Sequence, residues 1–464
     1  MFNNKIKGYL SLISSVLIHL LIGNLFSFAN LIPYYQSYLY YKHNYTEKIS
    51  LMQLYFIGPI GIFVHNTFPS FMGIIDKKLG IRILTIFATI SLFCSQLIMY
   101  FSVEYYLLII SYIFFGFGAS CTYFQTLKNC WKYFPKKKDL ISGIIFSSFG
   151  LSSFAFTSIA DQIINPDNIS KEGKYYSKEI SYRYLNYIKV FIICIIVFGS
   201  ISIILCFPYE DEKNNNENQL NKENGNPNNI LLLTKKKTIP LKKIILSLEF
   251  VKCLSIAGCT LIFGFLLSNT YRNFGIEKEL DENGMHTLSK VFTLLNTFSR
   301  LIWGIICDKF KFKIPYLIII INQIICGCLI YFSANKLITY FIIVCLGVLS
   351  YAGHIILFPN LIHNKFGVDN SVILLGICGI FAGIAVIIGP ILTYFIKDLE
   401  DYLITYLLGV SPSIVSLILT IFIKTERIGN IDEKIIKNIE ENKNDKLVDR
   451  FTTTSEDDNN QNNQ

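Results

Sequence analysis

Long apolar runs separated by short polar breaks form the dominant pattern of the chain from residue 8 to residue 423. A helix needs about 20 largely apolar residues to cross a lipid bilayer. Such runs occur at 8–32, 50–72, 81–102, 105–127, 139–161, 188–207, 248–271, 287–306, 314–333, 337–358, 370–395 and 401–423. The pattern therefore predicts an all-α membrane protein with twelve transmembrane helices.

Two polar segments divide the chain. Residues 208–247 are charged and polar, and 214–229 contain nine Asn, so this segment cannot bury enough apolar surface to fold alone. We predict an N-terminal six-helix bundle over 1–207 and a C-terminal six-helix bundle over 248–423. A flexible cytosolic loop is expected over 208–247, and a disordered cytosolic tail over 424–464.

The composition argues against a soluble protein. Of the 464 residues, 52% are hydrophobic and 16% are charged, against about 25% charged residues in ordinary soluble domains. The 12 Cys lie mostly inside apolar runs and form no disulfide or zinc pattern. The sequence also contains no nucleophile triad and no phosphate-binding loop. We therefore expect no enzyme, no cofactor, no metal and no nucleic-acid partner, despite a net charge of +9.

Basic residues indicate how the chain is oriented, because Lys and Arg are enriched in cytoplasmic loops. A cytoplasmic N-terminus places the basic cluster at Lys128, Lys132 and 136–138 on that side. The glycosylation sequons at Asn44 and Asn168 then fall in outer loops. We expect both termini to be cytoplasmic and the first span to be retained. The plasma membrane is the expected location, with an organellar membrane as the alternative.

The two halves carry matching landmarks at one offset of 231 residues. The pairs are Gly73 and Gly304, Gly116 and Gly347, and Asp139 and Asn370. The last pair consists of residue types that commonly cap helices, each at the start of a predicted span. Three landmarks at one offset favour an internal duplication, as found in many transporters.

The loops after the second and eighth spans share a motif. The first reads Gly-Ile-Ile-Asp-Lys-Lys-Leu-Gly-Ile-Arg over 73–82, and the second begins Gly-Ile-Ile-Cys-Asp-Lys at Gly304. They resemble the Gly-x-x-x-Asp-Arg/Lys-x-Gly-x-Arg motif of the major facilitator superfamily. The resemblance implies two bundles that rock around a central site, with a conformational latch at each motif. We name Gly73, Asp76 and Arg82 the first latch, and Gly304, Asp308 and Lys309 the second latch.

The first latch departs from the family pattern. Lys77 occupies the acidic position and Asp76 lies one residue early, whereas Asp308 is in register. A latch carboxylate is suited to a neighbouring helix terminus, because a helix N-terminus attracts negative charge. We therefore expect either that Asp76 serves after a small backbone shift, or that the latch depends mainly on Asp308.

A narrower resemblance concerns the loop between spans four and five. The segment Trp131–Gly143, with Gly150 beyond it, resembles the monocarboxylate and oxalate/formate antiporter branch of the superfamily. Span eight adds Asn296, Arg300 and Gly304, similar to the Asn/Asp-x-x-x-Arg-x-x-x-Gly of that branch. This resemblance implies an anion site at Arg300.

Polar residues inside the apolar spans are candidates for the substrate site, because such groups usually face a cavity. Arg300 offers a planar donor fork that suits a carboxylate, and Asn296 lies one turn away. A simpler explanation for Arg300 is that it reaches the cytoplasmic headgroups. The other candidates are His19, Asn30, His65, His354 and Tyr123. For the histidines, burial between packed helices is the competing explanation.

The charge inventory favours a small organic monoanion. No Asp or Glu lies in the middle of a span, and span eleven has no basic residue, so a divalent anion would keep one uncompensated charge. A proton carrier would have to be a histidine, with His19 first, then His65 and His354. Antiport or uniport without a proton step is the alternative.

The expected function is a secondary active or facilitative transporter for a monocarboxylate-like anion, working as a monomer in the lipid bilayer, with protons as a candidate co-substrate. One alternative is a transporter of the same fold for another solute, such as an amino acid or a drug. A second alternative is a non-transporting membrane sensor.

Overall fold

A computed structural model describes residues 3–210, 240–395 and 399–424, and its regular elements over these ranges are helical. The first half contains α1 (Asn4–Ile22), α2 (Phe28–Lys42), α3 (Leu51–Thr67), α4 (Pro69–Leu79), α5 (Ile81–Phe101), α6 (Tyr105–Tyr133), α7 (Lys138–Ile164) and α8 (Lys178–Leu205). The second half contains α9 (Leu241–Ile245), α10 (Leu248–Glu277), α11 (Glu282–Phe310), α12 (Lys313–Ser333), α13 (Leu337–Phe366), α14 (Val368–Phe395) and α15 (Leu399–Phe422). Most of the predicted polar loop and tail lies outside the described residues.

Twelve membrane-crossing segments account for these helices, apart from the five-residue α9. Ten segments within the described ranges are long and apolar enough to cross a bilayer. The other two are α14 and the pair α3–α4, which is broken at Phe68 before Pro69. The first span is also interrupted, because a 3₁₀ turn over Gly23–Phe26 separates α1 from α2. The expected fold of twelve transmembrane helices in two bundles is confirmed.

Several helices extend beyond the apolar runs that predict them. Ser177 caps α8 by accepting a hydrogen bond from the backbone N–H of Ile180, so α8 begins about three turns before the predicted span. The expected capping roles of Asp139 and Asn370 are wrong. Both residues lie in the first turn of their helices, since α7 is preceded by Lys137 and α14 begins at Val368.

The halves meet along two seams. We call the packing of α7 against α11 the first seam, and the packing of α3 and α4 against α14 the second seam. Glycines permit close approach in both: a Cβ on Gly304 would lie 2.6 Å from the Asp139 carbonyl oxygen, and one on Gly376 would lie 2.2 Å from the Ser70 nitrogen. Each half also has its own apolar core, and a third core joins them.

The two loop motifs make the same backbone turn with different residues. Gly80 has φ +79° and ψ 161°, and Lys311, which lies 231 positions later, has φ 60° and ψ −171°. This region of backbone space is accessible essentially only to glycine. The turn therefore survives in the second half although its glycine has been replaced, and Lys311 carries the strain.

Candidate functional site

A cavity of about 880 Å³ lies between the two halves. Its lining extends from mid-depth residues such as His354 to Tyr55 at the start of α3 and Asn273 near the end of α10. We call the end marked by Asp76 and Asp308 the latch end, and the other the opposite end. The cavity opens toward the opposite end, where the side chain of Tyr55 is 49% exposed.

Arg300 is the one Lys, Arg, Asp or Glu among the described residues that line this cavity. Its side chain is 4% exposed, and Nη1 donates a 2.6 Å hydrogen bond to the carbonyl of Phe146 across the first seam. The buried Nε has no hydrogen-bond partner within the described residues. Gly150 lies against the guanidinium, since a Cβ there would be 3.3 Å from Nη1. The cavity thus contains one fixed cation with a donor available.

Other polar groups surround the guanidinium. Asn296 lines the cavity one turn before Arg300, and its buried Oδ1 has no partner among the described residues. Tyr123 from α6 and Tyr351 from α13 also line the cavity. A bound carboxylate could therefore receive hydrogen bonds from both halves of the protein.

Two of the predicted histidines line the cavity. His65 lies on the α3 side, with its ring edge-on to Tyr123 at a centroid distance of 4.6 Å. His354 lies on α13, and its Nε2 is 2.7 Å from Oε1 of Gln323. Each has a buried Nδ1 without a partner within the described residues.

His19 and Asn30, by contrast, are absent from the lining within the described residues. Nδ1 of His19 is bonded to the Ser15 carbonyl at 2.8 Å, and its ring stacks behind Tyr123. Asn30 donates to the hydroxyl of Thr157 at 3.3 Å. The polar stripe of the first span therefore packs against α7. Helical spacing identifies a face but not its neighbour, so it did not reveal that His65 and His354, rather than His19, line the cavity within the described residues.

The second latch joins the two halves. Oδ1 and Oδ2 of Asp308 accept hydrogen bonds from the backbone N–H groups of Asp139 and Leu140, at 3.2 and 3.0 Å. These amides lie in the first turn of α7, so the carboxylate sits at a helix N-terminus of the opposite bundle. The Asp139 carboxylate is itself buried and accepts from Nδ2 of Asn360 at 2.7 Å.

The first latch has a different arrangement. Asp76 forms an ion pair with Lys128 at 2.8 Å, and both residues belong to the N-terminal half. The residue that crosses to the other half is Lys77, whose Nζ donates to Oδ1 of Asn370 at 3.3 Å. The expectation that Asp76 serves after a backbone shift is therefore wrong, because its carboxylate is paired within its own bundle.

The remaining latch residues have simpler roles. A Cβ on Gly73 would lie 2.9 Å from Cγ1 of Val372, so this glycine allows the second seam to close. Arg82 is exposed, and the exposed Lys309 places its Nζ 5.3 Å from the ring centroid of Phe310.

Contacts at the latch end repeat the offset of 231 residues. Lys77 and Asn370 correspond to Asp308 and Asp139, and both pairs cross between the halves. Likewise, Lys132 pairs with Asp369 at 3.3 Å, and the corresponding His363 contacts Lys138. Each contact thus has a counterpart at the equivalent positions of the other half, although the charges of the residues differ between the two. These four contacts together close the latch end.

A model of the Major Facilitator Superfamily matches residues 17–390. The chain belongs to the Major Facilitator Superfamily. Its fold and family are those of membrane transporters rather than enzymes.

One curated relative in this superfamily is the uncharacterised MFS-type transporter YhjX of Escherichia coli, strain K12. It is 22% identical over 264 residues, which cover 55% of this chain and 56% of the relative. The match therefore spans about half the length of that protein. Superfamily membership is shown by the family match, whereas the narrower monocarboxylate branch stays a prediction.

Solved structures of the superfamily share the fold. The fucose:proton symporter FucP of E. coli has a TM-score of 0.65 at 12% identity, covering 91% of this chain and 100% of that one. The proton:xylose symporter XylE has a TM-score of 0.63 at 12% identity, covering 92% and 98%. A bacterial homologue of the iron transporter ferroportin, solved facing outward, has a TM-score of 0.61 at 10% identity, covering 88% and 98%.

Some lining residues of this superfamily member were not predicted as site residues. Tyr351 lies three residues before His354, and Asn273 lies one turn after Asn269 on α10. The spacing of the two Asn is a usable signal, since residues four apart share a helix face. Tyr351 had no such signal, because an aromatic residue in an apolar span is equally typical of packing.

Proposed function

We propose that this protein transports a small organic monoanion, of the monocarboxylate type, by alternating access between its two bundles. The proposal rests mainly on one observation: Arg300 is the single Lys, Arg, Asp or Glu of the described cavity lining, and it is almost fully buried. A second anionic charge would have no cationic partner there.

The donor geometry supports a carboxylate as the anionic group. Nε of Arg300 is available, and Tyr123 and Tyr351 provide hydroxyl donors on either side of the cavity. A guanidinium forms paired hydrogen bonds with a carboxylate, which a point charge cannot reproduce. The described lining contains no carboxylate that could bind an ammonium group, so it offers less to a zwitterionic amino acid.

The conformation also fits a transport cycle. With the predicted orientation, the latch end is cytoplasmic and closed, and the cavity is open to the outer side. Domain boundaries at 207 and 248 would separate the two moving bundles. Opening of the latch end and closure of the opposite end would then deliver the substrate to the cytoplasm.

The test is uptake by purified protein in proteoliposomes, with radiolabelled lactate and pyruvate as monoanions, succinate as a dianion and neutral sugars as controls. We expect uptake and counterflow of the monoanions only. Transport of neutral solutes without carboxylates would favour another solute class, and binding without any transport would favour a sensor.

A further inference from the structure

His354 is held in one tautomer by its neighbours. Nε2 of Gln323 lies 3.0 Å from the carbonyl oxygen of Thr260, which can only accept, and 2.7 Å from Oγ of Ser413. The amide nitrogen is thereby assigned, so Oε1 is the atom that faces Nε2 of His354 at 2.7 Å. Because Oε1 can only accept, Nε2 must carry the hydrogen.

This tautomer leaves a lone pair on Nδ1 of neutral His354. Nδ1 is buried and has no hydrogen-bond partner within the described residues, and the side chain is 2% exposed and lines the cavity. In this neutral form Nδ1 can only accept, so it cannot donate a hydrogen bond to a carboxylate. Once Nδ1 takes up a proton, it becomes a charged donor in the same cavity as Arg300.

The surroundings provide no competing carboxylate among the described lining residues. The titratable groups that face the His354 side of the cavity include Tyr316 of α12, whose ring lies edge-on at 5.1 Å. The other titratable residues of the described lining are Tyr351 of α13 itself, Cys378 of α14, Arg300 of α11, and, from the N-terminal half, Tyr55, His65 and Tyr123. An anion bound in the same cavity favours the charged form of a histidine, because opposite charges attract.

We propose that Nδ1 of His354 takes up one proton together with the substrate anion, and that Gln323 is the positioning residue that presents this nitrogen to the cavity. The inference rests on the proposed anion transport. One proton passes from water to Nδ1 on the open side and returns to water on the other side, so each cycle moves one anion and one proton without net charge.

The other histidines satisfy fewer of these conditions. His19 is absent from the described lining, and its Nδ1 is already bonded to a carbonyl. His65 lines the cavity, but no hydrogen bond within the described residues fixes its tautomer. His19→Gln is therefore a matched control for His354→Gln, with the same substitution at a buried histidine outside the lining.

The experiment measures accumulation of radiolabelled lactate and pyruvate in proteoliposomes, with the membrane potential clamped, with and without an inward gradient of one pH unit. A one-to-one electroneutral symporter should accumulate the anion about tenfold under this gradient. The ratio of internal to external anion should fall to about one in His354→Gln and stay near ten in His19→Gln. Pyranine trapped inside should record one proton per anion.

Gln323 provides a second, independent measurement. Gln323→Leu removes the acceptor for the Nε2–H of His354, so this variant should lose the gradient response while counterflow persists. Counterflow by the wild type without any gradient response would overturn the inference but not the proposed function. A full response in His354→Gln would also overturn it, whereas absence of both uptake and counterflow would refute the proposed function itself.

Discussion

Replacing Asp308 with Asn tests whether the second latch controls the conformational equilibrium. Its carboxylate accepts two backbone hydrogen bonds at 3.2 and 3.0 Å from the other half. An Asn side chain keeps one oxygen acceptor, turns an amide group toward the second N–H and removes the charge. Hydrogen bonds to charged groups contribute about 1.5–3 kcal/mol.

The exposed setting of Asp308 reduces this value, because solvent screens its charge. We therefore expect Asp308→Asn to weaken closure of the latch end by about 1–2 kcal/mol, or roughly 5- to 30-fold in the equilibrium constant. Asp76→Asn is the matched control. Its partner Lys128 belongs to the same bundle, so the variant should lower thermal stability without shifting the equilibrium.

Amide hydrogen exchange can follow the second latch directly, because the backbone N–H groups of Asp139 and Leu140 donate the hydrogen bonds that Asp308 accepts. Exchange in a peptide covering 138–145 should be roughly 5- to 30-fold faster in Asp308→Asn and unchanged in Asp76→Asn. Uptake should also be slower in Asp308→Asn than in Asp76→Asn. Equal exchange in the wild type and Asp308→Asn, or equal acceleration in both variants, would refute this account of the latch.

Three further predictions follow from individual positions. Arg300→Lys keeps the charge but loses the donor fork, so the apparent KM for lactate or pyruvate should rise about 10-fold or more, provided either is a substrate, with normal membrane insertion; unchanged kinetics would contradict the anion site. Gly150→Ala brings a Cβ within 2.9 Å of the Thr297 hydroxyl and should impair transport, whereas Gly258→Ala, whose nearest contact is 3.7 Å, should not. Lys311→Gly should raise stability by about 1–3 kcal/mol and Gly80→Ala should lower it, as measured by thermal unfolding; a lower melting temperature for Lys311→Gly would exclude strain at this turn.

The apolar pattern was sufficient to predict the twelve crossing segments, because both lipid-facing and buried surfaces of such a helix must be apolar. It could not locate the helix ends. The polar first turns of α8 lie before the apolar run, and only the cap at Ser177 identifies its start. Nor could it distinguish a continuous first span from two helices with a 3₁₀ turn at Gly23–Phe26.

The site was predictable where a polar side chain has no structural reason to be at membrane depth. Arg300, Asn296 and His354 met that condition, and all three line the cavity. Helical spacing failed for His19, because a shared face does not say which helix packs against it. Likewise, the register of a loop motif does not reveal the partner of each charge, so the sequence did not show that Asp76 pairs within its own half and that Lys77 contacts the other.

The two seams differ in how they respond to the surrounding electrolyte. Beside the second seam, Asp369 of α14 is 67% exposed in its pair with Lys132 of α6, so ordinary salt concentrations weaken this attraction. Beside the first seam, salt screens the exposed Asp308, but it reaches poorly the buried hydrogen bond between Asp139 of α7 and Asn360 of α13. Rising ionic strength on that face therefore loosens one edge before the other. We therefore expect the contact between α6 and α14 to weaken with added salt before the contact between α7 and α13 does.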